Sequence, residues 1–156
     1  MQITALQIAQ KWIGITELPG RVNNIQISAW IAHASVGQMN SSESFPDEIY
    51  WCGAFIHGVV FPLGLPIPDI PIRARAWLTV GRKVELKDAK PGFDIAILNR
   101  GGASDPKVLK GPAHVGFLHH IDHSIINLVG GNQGNAVSIS SFPISSILEI
   151  RRLYEE

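Results

Sequence analysis

Apolar positions recur at helical spacing through the first half of the chain and alternate in short runs through the second. Ala5, Ile8 and Trp12, with Ala9 and Ile13 beside them, share one face, and Gly14 is placed to end that helix. A second helix is predicted from Asn24 through Ala34, where Ile27, Trp30 and Ile31 fall together and Asn23 or Asn24 serves as the cap. Residues 37–46 are polar and turn-rich, so they read as a loop. A third helix is predicted from near Trp51 towards Val60, with Phe55, Val59 and Val60 on or near a stripe that begins at Cys52. The prolines between Pro62 and Pro71 exclude a helix or a central strand, which leaves an extended surface connection. Arg75 to Leu78 reads as a short helix closing at Gly81.

After Pro91-Gly92 the period changes. Asp94 to Leu98, Ala113 to Leu118, Ile125 to Val129, Val137 to Ser140 and Leu148 to Leu153 are short, partly alternating and bounded by turn residues. Helices followed by an antiparallel sheet of about five strands make the predicted fold class α+β. At 156 residues the whole chain, 1–156, fits one domain with a real core and no internal repeat.

Composition narrows the function. Thirteen Lys and Arg balance thirteen Asp and Glu, so no overall field draws in nucleic acid or an anionic membrane. No segment approaches membrane-spanning length, and the amino end lacks the pattern of a secretory leader. The expectation is therefore synthesis in the cytoplasm without a signal peptide and no membrane insertion. A single cysteine excludes an intramolecular disulfide and a cysteine-based zinc site.

That cysteine, Cys52, lies where the third helix begins, among unpaired N–H groups and the positive end of the dipole, which favour thiolate over thiol. A cysteine hydrolase also needs a base and a group that orients it. His114 is the candidate base, because it opens a strand directly after the glycine-containing segment from Gly101 to Pro112. On that strand His114, Gly116 and Leu118 take one face, Val115 and Phe117 the other. If the Cys52 helix crosses the His114 face, Gly116 leaves room for it. Asn132 is the first choice of orienting amide and Gln133 the second. Alternation allows only one of them to reach the ring.

Other residues have two readings each. Asp47 either binds an amino group of the substrate or caps the helix. Trp51 is the tryptophan expected to face substrate, with Gln133 beside it. Arg73, Arg75, Trp77, Lys107 and Lys110 suit a groove for glycan and peptide, although Trp12, Trp30 and Trp77 also serve as core anchors. His119, His120, Asp122 and His123 are dense, but neighbours on a strand point to opposite faces, so the expectation is a solvated hairpin end and no metal. His33 and His57, on helices, read as packing or surface residues.

Trp51-Cys52-Gly53-Ala54-Phe55 preceded by Asp47-Glu48, then Ala74-Arg75-Ala76-Trp77-Leu78, His114-Val115-Gly116-Phe117 and Gly130-Gly131-Asn132-Gln133-Gly134-Asn135 occur in that order. Together they resemble the small phage-associated lysins related to cysteine, histidine-dependent amidohydrolase/peptidase (CHAP) domains, within the NlpC-type, papain-like peptidoglycan hydrolases. The resemblance spans nearly the whole chain. It implies a papain-like fold and hydrolysis of amide bonds in bacterial cell-wall peptides, with Cys52 as nucleophile, His114 as base and acid, and Asn132 as the orienting residue. It implies no cofactor and bacterial peptidoglycan as partner, with a cognate immunity protein or a phage structural protein beside it. Action on the wall would follow release by lysis, a pore or injection. Related domains often carry Glu shortly before the Asn where this chain has Gly130 or Gly131, and Gly53 stands where Ala or Ser is common, a small change by sequence. A thiol transferase or deamidase using Cys52 and His114, and a catalytically silent wall-binding module, are the alternative readings.

Overall fold

The computed structural model describes residues 2–18, 24–36 and 51–155. Three helices, α1 (Ala5–Lys11), α2 (Ile25–Ala34) and α3 (Cys52–Val60), precede a six-stranded antiparallel sheet. Its strands are β1 (Arg82–Val84), β2 (Asp94–Asn99), β3 (Ala113–Asp122), β4 (Ile125–Gly130), β5 (Ser138–Pro143) and β6 (Ile147–Arg152). They lie in the order β1-β6-β2-β3-β4-β5, so β2 and β3 are central and the last strand returns to pair with β2. The class is α+β, as the sequence predicts. The additional strand is β1, whose three residues pair Arg82 with Arg152 and Val84 with Ile150 at an edge.

Local chemistry sets the helix ends. Thr4 and Gln7 form a reciprocal capping box at α1, Thr4 N–H donating to Gln7 Oε1 at 2.8 Å and Gln7 N–H to Thr4 Oγ1 at 3.1 Å. At α2 the Asn24 side chain accepts from Gln26 and Ile27 N–H at 2.9 and 3.3 Å, which settles the cap on Asn24. Between α3 and β1, Ala74–Thr79 forms a 3₁₀ turn. The proposed loop over 37–46 and Asp47 lie outside the described residues.

Two apolar layers sandwich the sheet, and they decide which face meets α3. Phe55, Ile56, Val59 and Val60 of α3 pack with Ile95, Ile97, Val115, Phe117 and Val129. Ala96, Leu98, Leu118, Ile126, Leu128 and Ile150 form a separate cluster on the other side. Burying each large apolar side chain here contributes about 1.5–3 kcal/mol. The helix therefore crosses the Val115/Phe117 face, not the His114/Gly116 face. Gly116 is not a berth for the helix, since a Cβ there would meet Leu128 Cβ at 2.8 Å on the neighbouring strand.

Glycines bring α3 close to its neighbours. A Cβ at Gly53 would stand 2.5 Å from Pro71 O and 2.8 Å from Ile72 O, both rigid backbone atoms. What looked like a small change by sequence is thus a steric requirement. Gly53→Ala is expected to lower stability by about 1–3 kcal/mol, as overpacking against a fixed wall does. Urea denaturation of the variant beside wild type measures it, and an unchanged midpoint would contradict the close approach.

Candidate active site

Cys52 is the first residue of α3, and no described side chain caps the helix. Trp51 is the N-cap, and the first helical bond is Phe55 N–H to Trp51 O at 2.8 Å. The N–H groups of Val115 on β3, of Gly53 and of Cys52 itself all act to lower the pKa of the Cys52 thiol. Val115 has such an N–H to offer because β4 has left the ladder there. The β3–β4 register runs from Asp122↔Ile125 to Phe117↔Val129 and goes no further towards Ala113.

His114, one residue before that N–H, is held from the other strand. Its Nε2 lies 2.9 Å from Gln133 Oε1, in the turn that follows β4. The remaining bonds of Gln133 fix the roles. Gln133 Nε2 donates to Leu128 O at 3.1 Å and Ser138 O at 2.7 Å, so Oε1 is the acceptor and the ring must donate from Nε2. The tautomer is thereby set, with the Nδ1 lone pair left to act as base. Phe142 packs along the ring at a centroid distance of 5.2 Å. Gly130 keeps this corner open, since a Cβ there would stand 2.5 Å from Gln133 Oε1 and 3.3 Å from His114 Nε2.

Several sequence readings need correction. Trp51 does not face substrate. It is 0% exposed, stacks on Trp30 at 6.2 Å, and donates from Nε1 to Glu17 Oε1 at 2.7 Å. Gln133, also expected at the substrate surface, is 6% exposed, with both ends of its amide engaged internally. The amide on the ring is that of Gln133, not of Asn132, which occupies a left-handed turn position at φ 57. Arg75 and Trp77 are buried rather than groove-lining. Of the two helix histidines read as packing or surface residues, His57 is interior, edge-on to His33 and tilted against Phe61.

The thiol and the imidazole are also far less exposed than an open cleft implies, at 1% and 2%. Burial raises the Cys52 pKa above its ordinary value, outweighing the three N–H groups and the nearby Arg100 charge that pull it down. It lowers His114 to about 4, with Arg100 adding to the fall and the Gln133 bond opposing it. At neutral pH the thiol and the imidazole are accordingly both uncharged, not the helix-stabilised thiolate expected from sequence, and no hydrogen bond joins the two side chains.

An imidazole depressed in the folded state, from about 6.5 to about 4, stabilises nothing by protonation. The folded state is at full stability above the unfolded value, and stability drains as pH falls from 6.5 to 4 while the unfolded chain takes up a proton the native ring refuses. The loss from this group amounts to about 3 kcal/mol. His114→Gln is expected to show a correspondingly shallower loss between pH 7 and 4 in denaturant titrations. An equal acid dependence in both proteins would refute it.

Among the described residues no group of three His, Cys, Asp or Glu side chains is placed to share a metal ion. In the histidine-rich end of β3, a register shift between Leu118 and His120 interrupts the pairing, and His123 stands exposed 3.4 Å from Asp122. No helix among the described residues is long and apolar enough to cross a membrane.

Arg100 is the residue sequence reading passed over. Among the described residues its charge acts on both Cys52 and His114. The signal was its place at the end of the strand paired with β3, which needs the register to be seen.

Comparison with solved structures places the fold. This chain is similar to NlpC1 from Trichomonas vaginalis, at 15% identity and a TM-score of 0.53, over 97% of this chain and 44% of that one. It is likewise similar to NlpC2 from Trichomonas vaginalis, at 15% identity and a TM-score of 0.54, over 97% of this chain and 46% of that one. The chain thus spans less than half the length of the structures it matches. No protein-family model matches the sequence, and no curated protein does.

Proposed function

Starting from the papain-like α+β fold of NlpC-type hydrolases, we propose that this protein is a cysteine peptidase or amidase that cleaves amide bonds in bacterial peptidoglycan. The observation that supports it best is the sole thiol at an uncapped helix start, seated against the strand that begins with an imidazole whose tautomer an amide sets. Endopeptidase and N-acetylmuramoyl-L-alanine amidase action both fit this chemistry.

In the reaction Cys52 attacks the amide carbonyl while His114 Nδ1 takes the thiol proton, because the resting pair is neutral. The same imidazole returns that proton to the leaving amine. Water then attacks the thioester, giving a proton to His114 as it does so, and the thiol is restored with release of the new carboxylate. The oxyanion is met by backbone N–H groups at the start of α3, where no described side chain forms a cap. Bacterial wall would be reached after release or injection, with an immunity protein or a phage structural protein as the accompanying partner.

Digestion of defined muropeptides followed by mass spectrometry tests the reading. The expected products are two fragments whose masses sum to substrate plus water. Unchanged muropeptides would overturn it, and ammonia release or amine exchange without cleavage would point instead to a deamidase or transferase.

A further inference from the structure

Arg100 sits just beyond β2, whose register sets Leu98 opposite His114 and Asn99 opposite Ala113. The ladder runs one step further, with Arg100 N–H donating to Pro112 O at 3.3 Å. Residues opposite one another on paired strands share a face, so Arg100 and His114 are diagonal neighbours on the same side, about 7–8 Å apart at the backbone. Arg100 is exposed, and none of the ion pairs or side-chain hydrogen bonds among the described residues involves its guanidinium.

The segment that presents this cation is pinned from inside. Arg75, 1% exposed, reaches up through the fold and donates from Nη1 to Val108 O at 3.1 Å, and from Nη2 to Asn99 Oδ1 at 3.1 Å and Ala103 O at 2.6 Å. Asn99 in turn holds Gly102, accepting from its N–H at 2.9 Å and donating to its carbonyl at 3.0 Å. No described carboxylate pairs with the buried Arg75 guanidinium. Three cations, Arg100, Lys107 and Lys110, face one carboxylate, Asp105, along residues 100–112, for a net charge of +2. The loop beside His114 is therefore both braced and electropositive.

We infer that Arg100 is a specificity residue, the anchor for a carboxylate on the substrate close to the scissile amide. The inference rests on the hydrolase reading and narrows its substrate to peptides that carry a free carboxylate at that place in preference to a carboxamide. Its electrostatic reach over both reacting side chains agrees with that position. Guanidinium suits the task because its planar fork meets a carboxylate with two parallel hydrogen bonds.

The lone cysteine allows a test that needs no substrate. Alkylation of Cys52 by iodoacetate, an anion, and by iodoacetamide, its neutral counterpart, is followed by intact mass in low salt. The ratio of the two rates cancels any change in thiol pKa. Arg100→Gln is expected to lower the iodoacetate-to-iodoacetamide ratio roughly fivefold, as loss of a unit charge at this range does in a partly solvated site, and Arg100→Lys to retain most of it. A ratio unchanged in Arg100→Gln overturns the proposal, as does a thiol that neither reagent reaches in the folded protein. In parallel, wild type is given two peptides that differ only in a carboxylate or carboxamide beside the scissile bond. A carboxylate preference in kcat/KM that collapses in Arg100→Gln supports the anchor, and its absence in wild type overturns it. If wild type cleaves neither peptide while the alkylation ratio responds as expected, the hydrolase reading fails and the anion-attracting role of Arg100 stands.

Discussion

Cys52→Ala is expected to lower hydrolysis of wall peptides by at least about 10⁴-fold, because Cys52 is the chain's one thiol. The variant keeps the Cβ and loses only a sulfur, so its folding stability should fall by about 1 kcal/mol. Substrate binding should survive, since the carboxylate anchor and the braced loop are untouched. Activity, denaturation midpoint and retention on insoluble peptidoglycan, measured on one preparation, separate the possibilities. Full turnover by Cys52→Ala would remove the thioester route and leave the fold as a scaffold for some other activity. Loss of binding together with activity would mean that the sulfur, buried as it is, holds the site's shape.

The second large effect is expected at Gln133. Gln133→Leu removes the acceptor of the His114 ring proton and strips Leu128 O and Ser138 O of their donor. Two consequences follow from one change. The ring is free to take the other tautomer, which is expected to cost about 10²- to 10³-fold in kcat, less than the loss seen when a charged orienter is removed from a triad. The orphaned interior polar groups are expected to cost about 2–4 kcal/mol of stability. Gln133→Glu distinguishes orientation from mere packing, since a carboxylate keeps an acceptor on the ring. It would also raise the imidazole pKa, moving the acid limb of the pH profile upward from about 4. An acid limb that stays in place in Gln133→Glu, or a smaller kcat loss in Gln133→Leu than in Asn132→Ala, would dismiss Gln133 as the positioning residue.

Much of this was legible in the order of residues. The three helices and five of the six strands follow from period alone, because each carries enough apolar positions to declare a face. The missing strand, β1, has three residues and only Val84 buried, too few to show an alternation. Cys52 and His114 could be singled out, since an isolated thiol at a helix start and a histidine at a strand start each have a chemical reason to stand there. What could not be read was the third dimension. Gly116 suggested that α3 crosses the His114 face, whereas the glycine accommodates Leu128 within the sheet. Trp51 sits beside the thiol in sequence yet turns inward to Glu17 and Trp30. Helix-terminus electrostatics argued for thiolate, and desolvation, which depends on everything packed around the sulfur, runs the other way. The choice between Asn132 and Gln133 hung on the path of a turn in which Asn132, Gly134 and Asn135 are all left-handed.

The stretch just after α1 has a longer reach than its position suggests. Gly14 N–H donates to Val137 O at 3.0 Å, Val137 N–H to Ile15 O at 2.8 Å, and Glu17 N–H to Asn135 O at 2.8 Å, while Thr16 and Ala136 form an isolated bridge. These bonds fasten the far side of the same turn that carries Gln133, whose own N–H donates to Ala136 O at 3.0 Å. A protease cut or a bulky fusion near residue 15 would therefore slacken the turn that holds Gln133 against His114, from a point remote in sequence.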